Sequence, residues 1–294
     1  MATLSYHEQK DIENIKKLRE LQKELPSFCS DFFRGIETST STRTRIAYAY
    51  DLKIFFQFLK TANPGTFDNP SHTLTPSDLE KLTVTDLEEY IDYLKCHPSD
   101  TNEDVINTER GLMRKVSSLR SFYSYFFRNE RIEKNPAALV RMPKLHEKEI
   151  IRLEIDEVAK LLDEVEEGDK LTEKQKLYHE RTKVRDLAMM SLLLGTGIRV
   201  SECVGLNIND IDLDTCGARV YRKGGKESVI YFSDEVRDVL ENYLDEREMI
   251  DAVPGNEDAL FLSMQRKRIN VRSVENLVKK IRKTCHTAEK DHPA

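Results

Sequence analysis

Long apolar runs, paired cysteines and the motifs of nucleotide or metal chemistry are all missing from this sequence. The longest apolar stretch, Leu187 to Leu194, is broken by Ser191, far short of the ~20 residues that cross a bilayer. The opening residues, MATLSYHEQK, carry no basic segment followed by an apolar one, so no secretory leader is expected and the cytoplasm is the expected location. Five cysteines (Cys29, Cys96, Cys203, Cys216, Cys285) are odd in number, widely spaced and never arranged as C-x-x-C. That argues against a disulfide framework and against a zinc site. Walker loop, dinucleotide-binding glycine pattern, G-x-S-x-G elbow and H-E-x-x-H are likewise absent, and no cofactor or metal is expected.

What remains suits a globular protein of about two domains: 294 residues, 39% hydrophobic and 33% charged. The net charge of −6 speaks mildly against a nucleic-acid partner, but its distribution does not. Residues 110–148 hold ten Lys and Arg against three acids, and residues 264–290 hold nine against two. Between them, residues 154–173 carry nine acids and two lysines. Two cationic stretches could face a phosphate backbone, although on charge alone solvated helix faces are the favoured reading. The acidic segment reads as a flexible insertion.

Apolar periodicity predicts helices over 6–25, 44–60, 86–94 (capped by Thr85) and 109–129. In the last of these Phe122, Tyr125 and Phe126 are spaced as core residues rather than as base-stacking platforms. Asn135-Pro136 and Met142-Pro143 break the pattern, placing a domain boundary near 140–150. Further helices are predicted over 156–166, 180–194, 233–249 and 271–283, with a tail from Thr284. One β-hairpin is expected at 218–232, and a short strand at 259–262.

The chemistry-bearing residues are few. Gly195-Thr196-Gly197-Ile198-Arg199 puts an arginine fork after a turn and at a helix start, and Lys223 stands at the hairpin tip. Such groups suit a phosphate. Taken singly, an arginine after a glycine turn is commonly structural, and Lys223-Gly224-Gly225-Lys226 is first of all a turn.

Together these residues resemble the tyrosine recombinases, the phage-integrase family with its Xer-like and mobile-element members. Leu194-Gly195-Thr196-Gly197-Ile198-Arg199-Val200-Ser201-Glu202-Cys203-Val204-Gly205-Leu206 resembles that family's first catalytic box, and the Arg199-to-Lys223 spacing is similar to its arginine-to-hairpin-lysine spacing. Thr44, Tyr48, Asp51-Leu52, Phe55 and Phe58-Leu59 resemble the opening helix of its core-binding domain, as Leu119 to Tyr123, Asn135-Pro136-Ala137 and Pro143-Lys144 resemble that domain's end. The likeness covers roughly residues 40–283.

The resemblance implies a mainly α fold: a helical extension (1–39), a helical, SAM-like core-binding domain (40–145), and a mostly helical α+β catalytic domain with a small antiparallel sheet (150–294). It implies that Arg199 clamps the scissile phosphate, that Lys223 is general acid toward the 5′-oxygen, and that Glu202 braces the site. Contacts to double-stranded DNA would fall to Thr44, Arg45, Tyr48, Arg114, Lys115 and Arg120, with four protomers assembling on two DNA sites. It also implies a second box, H-x-x-R followed by a nucleophilic tyrosine. None of the seven histidines opens H-x-x-R, and the last tyrosine, Tyr243, reads as helix packing. The expectation is therefore a chain cut short before that box, which binds DNA and does not cleave it. The alternative is a catalytically dead protein that occupies recombination sites.

Overall fold

The computed structural model describes residues 5–98, 103–146, 153–222 and 225–287, the side chains of 283–287 excepted. The fold is mainly α with small antiparallel sheets. The chain divides into two units, residues 1–149 and 150–294. Among the described residues no helix is long and apolar enough to cross a membrane.

The first unit begins with α1 (Tyr6–Lys23), where Ser5 and Glu8 cap each other's backbone N–H groups. Leu18 and Leu21 recur at helical spacing and are buried, with α1 against α3 (Thr42–Ala62). Between them lies α2 (Cys29–Gly35), which sequence periodicity does not reveal. Its Phe32 and Phe33 join the same core as α1 and α3. Gly35 permits the approach of α6 (Glu109–Arg128): a Cβ there would sit 2.0 Å from the Tyr125 ring.

A short α4 (Pro64–Phe67) and a 3-10 turn at Pro76–Lys81 lead to α5 (Val84–Lys95). This helix starts earlier than expected, because its cap is Thr83, not Thr85. Thr83 Oγ1 accepts from the Asp86 N–H while the Asp86 carboxylate accepts from the Thr83 N–H. A small hairpin not expected from sequence follows, β1 (Cys96–Pro98) with β2 (Asp104–Ile106). Then come α6 (Glu109–Arg128) and α7 (Pro136–Leu139). Phe28, Phe32, Phe122 and Phe126 meet edge-on or tilted with centroids 5.1–6.1 Å apart. Each such buried ring stabilises the unit by about 1.5–3 kcal/mol relative to exposure. Phe122 and Phe126 are fully buried, and Tyr125 is half-buried.

In the second unit the acidic segment forms α8 (Ile155–Glu167), where a helix over 156–166 is expected, and α9 (Glu173–His179), so it is helical rather than a flexible insertion. Apart from buried Glu164, the acids lie toward the wet side, while Leu161 and Val165, four residues apart, pack with Met190 and Ile281. Next are α10 (Lys183–Thr196), α11 (Val200–Cys203) and a three-stranded sheet of β3 (Ile211–Asp212), β4 (Gly217–Arg222) and β5 (Lys226–Tyr231) in that order. Then α12 (Asp234–Glu248) packs on α10, and α13 (Val271–Thr287) on α8. The expected strand at 259–262 is reduced to single bridges, Asn207 with Ala259 and Leu262 with Arg268. The helix predicted to stop at 283 runs on to Thr287; the rest of the expected tail lies outside the described residues.

Candidate nucleic-acid interface

In the second unit α10 ends at Gly197, whose φ of +67° few side chains tolerate. Its N–H donates to the Leu193 carbonyl at 3.0 Å, closing the helix and turning the chain. Ile198, Cys203, Val204 and Leu206 are buried on either side and fix that turn to the core. Arg199 is thereby left outside, with its side chain 72% exposed beside a Glu202 side chain that is 6% exposed. The Glu202 carboxylate accepts the Arg199 backbone N–H through Oε2 and Nη1 through Oε1, both at 2.9 Å. A guanidinium has five N–H donors, so this one is tethered at one nitrogen and keeps most of its donors for a ligand.

The same turn packs α11 on β4, the strand that leads to the hairpin tip. The register pairs Arg222 with Lys226, and Gly225 adopts φ +74° in the connection. Lys223 and Gly224 lie outside the described residues. Three other arginines of this unit are committed internally. Arg268 donates to the Val204 and Leu206 carbonyls, buried Arg247 to those of Ala259, Ile250 and Glu257, and Arg185 to Asp186 and the Leu262 carbonyl. Arg272, Lys279 and Arg282 on α13 remain exposed.

Tyr243 is 1% exposed, stacks on Phe261, and donates its hydroxyl to the Leu260 carbonyl at 2.9 Å. Burial pushes its pKa up to about 12. It is a core residue.

In the first unit the six expected DNA contacts separate by environment. Arg45 is 8% exposed, its guanidinium donating to Glu37 and Thr42. Lys115 is equally buried; its ammonium donates to Asn107 Oδ1, and burial lowers its pKa. Arg120 reaches the Ala137, Ala138 and Val140 carbonyls, satisfying the open end of α7. All three are engaged by partners within the unit. The other three, Thr44, Tyr48 and Arg114, line one open cleft between α3 and α6 with Arg43, Arg110 and Ser117. Arg43 and Arg110 are not among the six residues expected from the sequence. Their spacing was the available signal, Arg43 four residues from Ala47 and Arg110 four from Arg114 on the same faces. Arg114 forms a two-pronged pair with Asp51, at 2.5 and 2.7 Å. Burial raises the Asp51 carboxyl to about 6, against the lowering effect of Arg114 and Lys115. Among the described residues no group of three or more His, Cys, Asp or Glu could hold a metal.

The phage integrase family matches residues 151–293 of this chain. The tyrosine recombinase XerC of Caldanaerobacter subterraneus subsp. tengcongensis is 35% identical over 280 residues, spanning 92% of this chain and 72% of that protein. XerS of Streptococcus uberis is 31% identical over 294 residues, spanning 90% and 81%. Among solved structures, a lambda integrase dimer bound to a COC′ core site has a TM-score of 0.58 at 15% identity, covering 91% of this chain and 66% of that one. The Tn1549 transposon integrase in complex with circular intermediate DNA gives 0.56 at 15% identity, covering 90% and 80%. The structural likeness carries the fold, the sequence likeness carries the descent, and by both this chain belongs to the tyrosine recombinases.

Proposed function

We propose that this chain acts in site-specific recombination by binding duplex DNA, with Arg199 as the clamp on the scissile phosphate. The observation that carries the reading is the Arg199 guanidinium, tethered by a buried carboxylate yet almost three-quarters exposed. Charge-assisted hydrogen bonds from a preorganised fork favour a phosphate over water. Lys223, beyond the strand that packs on α11, is the general acid toward the 5′-oxygen, and Glu202 braces the arginine. Residues 40–145 supply further backbone contacts through Arg43, Arg110 and Arg114, and residues 150–294 carry the phosphate site. Relatives of the same fold are described as a lambda integrase tetramer on a Holliday junction and as XerH on its difH substrate. These support double-stranded DNA as the partner and a tetramer as the working assembly.

The finer part of the reading concerns chemistry. Residues 1–294 contain no H-x-x-R, and Tyr243 is packed in the core. We therefore assign DNA binding, without strand cleavage, to this stretch of polypeptide by itself. The test of binding is a gel-shift series across salt concentration. Log affinity should fall with log salt by about 0.9 per phosphate neutralised. Affinity that stays flat from low to moderate salt rejects the reading.

A further inference from the structure

Asp51 and Arg114 belong to different helices, α3 and α6, and of the two it is Arg114 that lines the first unit's cleft. The Asp51 side chain is 3% exposed and that of Arg114 46%. Nη1 and Nη2 each donate to a different carboxylate oxygen, so the planar fork is held in one orientation. Two donors are used and three remain on a side chain that is nearly half open. Arg43 and Arg110 line the same cleft, and among the described residues neither side chain is tied down by an ion pair or hydrogen bond as Arg45, Lys115 and Arg120 are.

We infer that Asp51 is a positioning residue for DNA binding: it touches no DNA itself, but aims the Arg114 fork at a phosphate seated between Arg43 and Arg110. This rests on the DNA-binding reading above and deepens it. An unanchored arginine has many rotamers, and ordering it on contact costs affinity; the buried carboxylate removes that cost beforehand. The raised Asp51 pKa fits this arrangement, since a carboxylate kept dry and ionised for one partner is electrostatically unfavourable. Tyr90 closes the other side, its hydroxyl donating to the Asp51 backbone carbonyl at 3.5 Å.

Simple charge counting gives the opposite expectation. Asp51→Asn makes the cleft one charge more positive and should tighten binding, so the sign of the effect decides between the two. The experiment uses the full chain and a random-sequence duplex, with affinity measured by anisotropy across a salt series. Asp51→Asn should weaken binding about tenfold, the loss of one charge-assisted contact, and lower the salt slope by about one phosphate. Arg114→Lys keeps the charge but not the fork, and should weaken binding to a similar degree. Arg114→Gln should be no weaker than the double variant Asp51→Asn/Arg114→Gln, because Asp51 acts only through Arg114. Binding by Asp51→Asn that equals or exceeds the parent overturns the inference, as does a double variant in which the two losses add. A loss with the salt slope unchanged would mark a general packing defect and overturn it too. Salt-independent binding by the parent chain would instead remove the DNA reading on which the inference stands.

Discussion

Glu202 accepts two hydrogen bonds from a single residue, Arg199, one from its backbone N–H and one from its guanidinium. One carboxylate thereby closes the first turn of α11 and restrains the side chain that projects from it. The two partners differ in burial, so their substitutions should separate binding from stability. Arg199→Ala removes an exposed side chain and should change stability by less than about 1 kcal/mol, while weakening affinity for a recombination site. Glu202→Ala removes the buried acceptor of the Arg199 N–H and should cost about 1–3 kcal/mol. Urea unfolding of both variants checks this; a larger loss for Arg199→Ala would mean that its role is structural.

Two buried aspartates of the first unit should give opposite dependences of stability on pH. Burial raises the Asp51 carboxyl to about 6, above its ordinary 3.8. The folded chain then holds more protons than the unfolded one between those values, so this group's contribution grows as pH falls from about 6 to about 4. Asp78 is also desolvated, but bonds from Lys81, the Thr75 backbone and side chain, and His72 bring its carboxyl down to about 2. Its stabilisation is present above 3.8 and is lost as pH falls toward 2. Asp51→Asn should flatten the stability profile between pH 4 and 6, and Asp78→Asn the one below pH 4, each by roughly 2–3 kcal/mol at most. Profiles that keep their slope in these windows would show that the two carboxyls titrate normally.

The helices were legible where apolar residues repeat over several turns, as Leu52, Phe55, Phe56 and Leu59 do in α3. Seven-residue α2 and three-residue β1 and β2 are too short for any period to register, and tertiary contacts hold them in place. Despite its acids, α8 falls where a helix is expected, over 156–166. Arg199 could be found because its glycine turn is local in sequence. The sorting of basic residues could not, since it depends on distant partners. Arg114 meets Asp51 across 63 positions, and Arg120 meets the end of α7. A residue type states what a side chain can do, and the fold decides whether something nearby already uses it.

Gly35 is a sensitive test of α2 as part of the core. A Cβ at this position would lie 2.0 Å from Cε2 and 2.7 Å from Cζ of the Tyr125 ring. The ring is wedged against Phe32 and Phe126, so it has little room to withdraw. Gly35→Ala should therefore destabilise the chain by about 1–3 kcal/mol through overpacking, although alanine is the better helix former. Gly35→Ala combined with Tyr125→Ala should recover part of the loss. A thermal midpoint for Gly35→Ala equal to the parent would mean that α2 is not packed in this way.

Covalent chemistry gives the most decisive prediction: residues 1–294 alone should form no phosphotyrosyl adduct with DNA, however tightly they bind. Attack needs a phenolate in line with a phosphate that Arg199 holds, so the four tyrosines of the second unit are the ones to weigh. Tyr243 is buried, its hydroxyl is engaged with Leu260, and its pKa is pushed up to about 12. Tyr221 lies on β4, where burial first, then Glu227 and Asp210, raise its pKa and oppose ionisation. Tyr231 is exposed on β5 opposite Gly217, at the end of the hairpin away from the Arg222–Lys226 pair, and Tyr178 is on α9, in the wall of a cavity with His179 and Arg185. Tyr221 is hydrogen-bonded to Glu227, but that contact raises its pKa and so does not favour the phenolate. A serine or cysteine could in principle replace tyrosine. Buried Cys203, next to the Arg199 turn, is pushed up to about 12 and is a poor nucleophile there. Any substitute would also act without the second arginine of the H-x-x-R box, and a lost donor to a developing anion costs about 3 kcal/mol or more. A nicked suicide substrate incubated with the chain and run on a denaturing gel should show free DNA only. A protease-sensitive shifted band would identify a nucleophile within these residues, and Tyr221→Phe, Tyr231→Phe and Tyr243→Phe would then locate it.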